Sequence, residues 1–156
     1  MQIRRAEKKD TDRVIHLLEQ VLEIHAKIRP DIFIPGTTKY TEQELLEIFS
    51  DENTPVYVAV DEDDSVVGYA FCVLKNKMAT NNIRAMKTFY IDDLCVDEDR
   101  RGEHIGEMLY HHVEEEAKRL GCGSITLNVW EGNDSARRFY ERLGLKPRNT
   151  TMESRL

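Results

Sequence analysis

The chain has 156 residues with a formal net charge of −7, and 40% of them are hydrophobic and 33% charged. This length favours a single domain over residues 1–156, and the acidic balance argues against non-specific nucleic-acid binding, which depends on basic surface. No apolar run approaches the ~20 residues that a membrane span needs, and the polar N-terminus has no signal core, so we expect a cytoplasmic protein without membrane attachment.

The N-terminal part predicts a short strand, two helices and a β-hairpin. Residues 3–6 are typical of a strand, and apolar residues then recur with a helical period until Pro30 forces an end. A capping box that begins at Thr41 opens the second helix. The apolar runs 56–60 and 66–74 then indicate the two strands of a hairpin.

Two features of this hairpin leave alternatives open. Gly68 lies inside the second strand, which indicates either a bulge or a close approach of another backbone. The polar, basic segment 75–87 is either a loop over a site or an extension of the hairpin.

A central strand over residues 88–96 carries two adjacent carboxylates, Asp92 and Asp93. Strict alternation of side chains would place them on opposite faces of the sheet. Because a carboxylate in an apolar strand must meet solvent, a partner or a ligand, at least one of the two is a candidate site residue.

The C-terminal part predicts a parallel crossover, a last helix and closing strands. A helix over residues 105–120 would join the central strand to a parallel strand at 125–130. Asn133 or Asp134 caps the last helix, and residues 145–156 would form the closing strands, chiefly toward their C-terminal end.

A basic, glycine-bearing turn joins the central strand to the crossover helix. It reads Arg100-Arg101-Gly102-Glu103-His104-Ile105-Gly106. The first N–H groups of a helix have no partner within it and lie at its positive end, so they can bind a pyrophosphate beside the arginine side chains. Taken alone, the turn fits an ordinary strand–turn–helix with solvated arginines equally well.

A second stretch changes this balance. It reads Asn133-Asp134-Ser135-Ala136-Arg137-Arg138-Phe139-Tyr140-Glu141-Arg142-Leu143-Gly144-Leu145. Together the two stretches resemble the GNAT superfamily of acyl-CoA-dependent N-acetyltransferases, whose Arg/Gln-x-x-Gly-x-Gly/Ala loop is similar to residues 101–106. The second stretch resembles the family's Asn-x-x-Ala-x-x-Phe-Tyr-x-x-x-Gly-Phe motif. The chain departs from the family at His104, where glycine is usual, and at Leu145, where an aromatic residue is usual.

The resemblance implies an α/β fold with a central mixed, twisted sheet of about six to seven strands flanked by about four helices. It also implies acetyl-CoA as co-substrate, with backbone groups of the central strand on the pantetheine arm and the basic turn on the pyrophosphate. The implied cofactor-binding residues are Leu94, Cys95, Val96, Arg101, Gly102, Glu103, His104, Ile105, Gly106, Asn133, Ala136 and Tyr140.

The resemblance further implies catalytic roles. Tyr140 would protonate the departing CoA thiolate, with a core aromatic packed beside Phe139 as the alternative. Asp92 or Asp93 would accept the amine proton, directly or through water, if burial or the neighbouring acid raises a carboxyl pKa from its usual value near ~4. This acidic pair resembles the Glu-Asp pair of spermidine/spermine N-acetyltransferases, which faces a cationic substrate. Alternatively, one aspartate is a structural anchor and the other a solvated bulge residue.

The family binds the acceptor near the region between the first two helices, so His25, Asp31, Phe33 and Tyr40 are candidate substrate contacts, with packing and loop anchoring as the alternative. We therefore expect acetyl transfer to a primary amine of a small molecule or peptide in a ternary complex. A catalytically silent acyl-CoA-binding module is the alternative, because fold does not fix function. The histidines show no metal-binding spacing with carboxylates, so we predict no metal. Homodimers are common in the family.

Overall fold

The computed structural model describes residues 1–156 and shows a five-stranded sheet with helices on both of its faces. The strands are β1 (Gln2–Arg5), β2 (Val56–Val60), β3 (Val66–Lys77), β4 (Met86–Val96) and β5 (Ser124–Leu127). The helices are α1 (Thr11–Ile28), α2 (Glu42–Ser50), α3 (Ile105–Arg119) and α4 (Asp134–Arg142). None of these helices has the length and apolarity that crossing a bilayer requires.

The strands follow one another across the sheet in chain order, from β1 to β5. All neighbouring strands are antiparallel except β4 and β5, which are parallel and joined by α3. The mixed sheet, the parallel crossover and the helices expected from the sequence are therefore confirmed.

Two apolar cores lie on opposite faces of the sheet. On one face α1 and α2 bury Leu17 and Leu45 completely. On the other face α3 buries Leu109 and Val113 completely. Burial of such a side chain stabilises the fold by about 1.5–3 kcal/mol, so the apolar stripe of each helix holds it on the sheet.

Both alternatives for Gly68 are present in the structure. The register between β2 and β3 shifts beside it, which leaves Val67 as an extra residue. A Cβ atom at Gly68 would also lie 2.9 Å from the carbonyl oxygen of Cys95 in β4. The basic segment that follows is largely an extension of the hairpin, since β3 continues to Lys77 and β4 begins at Met86.

The expected strand count is wrong at the C-terminal end. The sheet has five strands because β5 ends at Leu127, earlier than predicted, and residues 145–156 form no strand. This tail is mostly polar and exposed, and Pro147 lacks the N–H that a ladder requires. Ion pairs of Glu153 and Arg155 attach the tail to the loop after α1 instead.

Candidate active site

β4 has a β-bulge at Asp92, next to the point where its pairing with β5 ends. The register between β3 and β4 skips from Asp93 to Ile91, so Asp92 is the extra residue. On the other edge of β4, the parallel pairing with β5 stops at Ile91, opposite Leu127. A bulge leaves its extra residue unpaired and bends the strand, and this bulge lies where β4 also loses its neighbour β5.

The bulge places both carboxylates on the face covered by α1 and α2, so the prediction of opposite faces is wrong. Asp93 Oδ2 accepts a hydrogen bond of 2.8 Å from the hydroxyl of Tyr69, which belongs to the core on that face. Asp92 Oδ2 lies 2.6 Å from Lys39 Nζ and 3.5 Å from the hydroxyl of Tyr40. The extra residue shifts the alternation by one position, which a regular pattern does not anticipate.

The two carboxylates differ in their surroundings. Burial raises the pKa of Asp93 to about 6, against the opposing effects of the Tyr69 hydrogen bond and the Lys39 charge. A carboxylate with a pKa near the working pH accepts a proton more readily than an ordinary aspartate. Asp92 is instead committed to an ion pair with Lys39.

Tyr140 lies half-buried on α4, with its ring edge-on to Phe139 at a centroid distance of 5.0 Å. Burial raises the pKa of its phenol, and the charge of Asp93 raises it further. The phenol therefore stays protonated at neutral pH and is close enough to Asp93 to respond to its charge. The packing beside Phe139 is therefore present, and the role of Tyr140 as a proton donor stays a prediction.

The end of β4 has a free edge. Residues 92–96 have β3 on one side and no strand on the other. Backbone N–H and C=O groups on a free edge can pair with an extended ligand as they would with another strand. Leu94, Cys95 and Val96, which were predicted to hold the pantetheine arm, belong to this stretch.

A cleft of about 440 Å³ opens at the start of α3. It is lined by residues of the basic turn and of two helices, namely Val96, Arg100, Arg101, Gly102, His104, Ile105, Gly106, Glu107, Phe139, Arg142 and Leu143. Of the predicted pyrophosphate loop, only Glu103 is not part of the lining. Its carboxylate pairs with Arg100 at 2.7 Å instead.

The arginines that line this cleft differ in whether they already form ion pairs within the protein. Arg100 forms ion pairs with both Glu103 and Asp61. Arg101 and Arg142, which also line the cleft, form no ion pair. The sequence analysis missed Arg142. Its position three residues after Phe139 puts both on one face of α4, which was the available signal.

His104 adopts the left-handed conformation that the family's glycine would adopt easily. Its φ is +60°, and it is the residue that precedes α3. The side chain is 80% exposed, with Nδ1 3.2 Å from Glu107. A side chain in this backbone region costs about 1–2 kcal/mol, although histidine tolerates it better than most residues. His104 therefore keeps the loop geometry with its ring turned to solvent.

Asn133 rather than Asp134 caps α4. Its Oδ1 accepts a hydrogen bond of 3.3 Å from the backbone N–H of Ala136. Asn133 and Ala136 are both half-buried at the start of α4. Their contact with the CoA arm stays a prediction.

The predicted substrate residues gather only in part. His25 and Phe33 pack with ring centroids 5.1 Å apart, and Phe33 meets Trp130 edge-on at 5.5 Å. Tyr40 joins the site through Asp92. His25 and Phe33 thus form one aromatic cluster with Trp130, and Tyr40 makes a separate contact with β4.

Asp31 stands apart from this group. Its carboxylate pairs with Arg29 at 2.7 Å and with Arg155 at 3.3 Å, which is the loop anchoring given as its alternative. The sequence analysis missed Trp130 and Lys39. Trp130 follows the last predicted strand and could have been suspected, but Lys39 meets its partner only across 53 residues of chain.

No group of three or more His, Cys, Asp or Glu side chains in the structure could hold a metal ion. The candidate site combines a free strand edge, a basic cleft, two carboxylates and a phenol.

Comparison with known families and proteins gives concordant matches. The family model described as the acetyltransferase (GNAT) family matches residues 18–145. The peptidyl-lysine N-acetyltransferase YjaB of Salmonella typhimurium is 36% identical over 105 residues, which are 66% of this chain and 59% of that protein. The matched part thus spans about three fifths of the curated relative's length.

Two solved structures extend the comparison. A mutant of the BH1408 protein of Bacillus halodurans is 35% identical and superposes with a TM-score of 0.96, covering 100% of this chain and 99% of that chain. The aminoglycoside N-acetyltransferase AAC(6')-Iy, solved in complex with CoA, has a TM-score of 0.74 at 14% identity, over 99% of this chain and 98% of that chain. The second likeness shows the shared fold alone.

Proposed function

The chain belongs to the acetyltransferase (GNAT) family, and from this premise we propose that it transfers the acetyl group of acetyl-CoA to a primary amine held in the same complex. One observation carries the proposal. The free edge of β4 runs from the basic cleft at the start of α3 to the bulge at Asp92, beside Asp93, whose charge reaches Tyr140.

The basic cleft supplies what a pyrophosphate needs. The cleft lies at the start of α3, where the first N–H groups have no partner within the helix and the positive end of its dipole favours an anion. Arg101 and Arg142 would add charged donors. Backbone groups of Leu94, Cys95 and Val96 would hold the pantetheine arm along the free edge of β4. The residues present fit acetyl-CoA as co-substrate.

Asp93 and Tyr140 would then handle the protons of the transfer. Asp93 accepts the proton of the amine, because its raised pKa makes it the better base of the acidic pair. The amine attacks the thioester carbon, a C–N bond forms and the C–S bond breaks. A backbone N–H of the free edge stabilises the developing oxyanion, and Tyr140 donates a proton to the leaving thiolate.

We propose small amines and peptide lysines as the acceptor classes. The name of the relative YjaB, a peptidyl-lysine N-acetyltransferase, supports the inclusion of peptides. The ion pair of Lys39 with Asp92 weighs against a polyamine, because it leaves one carboxylate rather than two for a cationic substrate.

Free-thiol release from acetyl-CoA tests this function across polyamines, amino acids, aminoglycosides and lysine-containing peptides. Calorimetric titration with acetyl-CoA accompanies the panel. We expect one bound acetyl-CoA per chain and saturable thiol release with at least one acceptor. Tight binding without release by any acceptor would favour the silent binding module, and absence of binding would contradict the proposal.

A further inference from the structure

The amine of Lys39 reaches into the acceptor side of the site. It donates a hydrogen bond of 2.6 Å to Asp92 Oδ2 and lies 5.3 Å from the centroid of the Tyr40 ring. Its side chain is 43% exposed, so the amine is neither buried in the core nor free in solvent. It belongs to the loop between α1 and α2, the region that the sequence analysis assigned to the acceptor.

The partner of Lys39 marks the place where chemistry is expected. Asp92 is the bulge residue at which β4 loses its pairing with β5, and the proposed pantetheine contacts begin two positions further on. Asp93, the proposed base, feels the positive charge of Lys39. Lys39 therefore presents a primary amine beside the gap where the thioester would lie, next to a proton acceptor.

We propose that Lys39 is an acetylation site of this protein, modified by its own active centre. The proposal rests on the proposed function. It adds a defined acceptor, the side chain of a lysine in the same chain.

The step balances as follows. Lys39 loses a proton to Asp93, and the neutral Nζ attacks the thioester carbon of bound acetyl-CoA. A C–N bond forms and the C–S bond breaks, while the second amine proton passes to Asp92. Tyr140 protonates the thiolate and regains its proton from solvent, to which Asp92 and Asp93 release the two protons that they accepted. The net products are Nε-acetyl-Lys39, the CoA thiol and one proton.

The ion pair between Lys39 and Asp92 determines both the rate of this reaction and its effect on the site. Burial lowers the pKa of Lys39, but the hydrogen bond and charge of Asp92 outweigh it and the pKa is raised. The neutral amine is therefore scarce, and the reaction is slower than transfer to a good acceptor. Acetylation removes the charge of Lys39, which frees Asp92 to bind the ammonium group of an acceptor.

The test is incubation of the purified full chain with isotopically labelled acetyl-CoA and no added amine, followed by intact mass and peptide mapping. We expect one acetyl group per chain, located at Lys39. The labelling should be first-order, with a rate constant that is independent of protein concentration. The exposed Lys77 and Lys146 report the background of purely chemical acetylation in the same sample.

Two variants sharpen the result. Lys39→Arg keeps the positive charge and should remove the modification. Tyr140→Phe should slow labelling of Lys39 about 100-fold while labelling of Lys77 stays unchanged, since general acid catalysis contributes on this scale.

Labelling of Lys39 no faster than that of Lys77, or unaffected by Tyr140→Phe, would overturn the inference. A rate constant that rises with protein concentration would mean transfer between chains and would also overturn the inference. Thiol release with added amines but an unmodified Lys39 would leave the proposed function standing and this inference refuted. Failure of acetyl-CoA to bind would refute both.

Discussion

Asp92 and Asp93 are neighbours in the sequence, yet the fold gives them different tasks. Asp93 is held by the hydroxyl of Tyr69, and Asp92 by the amine of Lys39. From the sequence alone the pair were candidate site residues, because a carboxylate in an apolar strand must meet solvent, a partner or a ligand. The sequence could not divide the roles, because the bulge and both partners depend on contacts between distant segments.

The role of Asp93 predicts a pH dependence. Because its carboxylate is the proton-accepting form, the rate of acetyl transfer should rise with pH through about 6. Asp93→Asn should remove this rise and lower the rate at neutral pH by about 10²–10⁴-fold. Initial rates measured across this pH range provide the test.

Asp99→Asn is the matched control, because Asp99 is an exposed acid on the turn after β4. Its pH profile should match that of the wild-type protein. An Asp93→Asn variant that retained the rise through pH 6 would show that another group is the base.

His104 illustrates a residue whose backbone matters more than its side chain. Its φ of +60° suits glycine, and the one polar contact of its exposed ring is with Glu107. His104→Gly should therefore raise the free energy of unfolding by about 0.5–1 kcal/mol, whereas His104→Ala should lower it, since alanine is strained at positive φ. Urea unfolding measures both.

The comparison of these two variants separates backbone strain from loss of the side chain, because both remove the imidazole. The affinity of the His104→Gly variant for acetyl-CoA should equal or exceed that of the wild-type protein. Stabilisation by alanine would contradict the left-handed geometry of this loop.

At the scale of elements, Gly68 fixes the approach of β3, β4 and α3. A Cβ atom there would lie 2.9 Å from the Cys95 carbonyl oxygen and 3.1 Å from a methyl group of Leu109. Gly68→Ala should therefore destabilise the protein by about 1–3 kcal/mol in urea unfolding, because the core must shift to admit the methyl group.

Gly123→Ala provides the control, since the nearest atom to a Cβ there is the Lys87 carbonyl oxygen at 3.9 Å, an ordinary contact. It should cause no loss of stability. Equal effects of the two substitutions would mean that the close approach at Gly68 is not what the fold depends on.

The start of α3 should bind acetyl-CoA through the arginines that the fold leaves uncommitted. Arg101→Gln and Arg142→Gln should each weaken acetyl-CoA binding about 10-fold in calorimetric titrations, since a hydrogen bond to a charged group contributes about 1.5–3 kcal/mol. Arg100→Gln should matter less, because Arg100 already pairs with Glu103 and Asp61. A larger effect at Arg100 than at both others would contradict the assigned roles.

The whole molecule divides into two sides that differ in how far the sequence reveals them. The side proposed for acetyl-CoA is built from two motifs, each continuous in the sequence, so residues 101–106 and Tyr140 could be assigned from their resemblance to the family's motifs. The acceptor side joins the loop after α1 to β4 and to Trp130, segments far apart in the chain. Lys39 therefore had no sequence signal. Of the two roles predicted for Asp31, substrate contact and loop anchoring, its ion pair with Arg29 fits the second.

The fold shows the same division. Helical periodicity, the capping box and the parallel crossover were predictable because they arise from local pattern and chain connectivity. The closing strands were not, since residues 145–156 carry little apolar surface and are held by ion pairs to the loop after α1. Likewise, β5 ends beside the bulge of β4, and no pattern within residues 124–130 could reveal that bulge.

Kinetics of Tyr140→Phe test the central claim most directly, which is that α4 supplies a proton across the gap from Asp93. With acetyl-CoA and an accepted amine, we predict a fall in kcat of about 100-fold or more, because the general acid is lost. The calorimetric Kd for acetyl-CoA should stay unchanged, since the ring and its packing remain. Full turnover by this variant would contradict the claim.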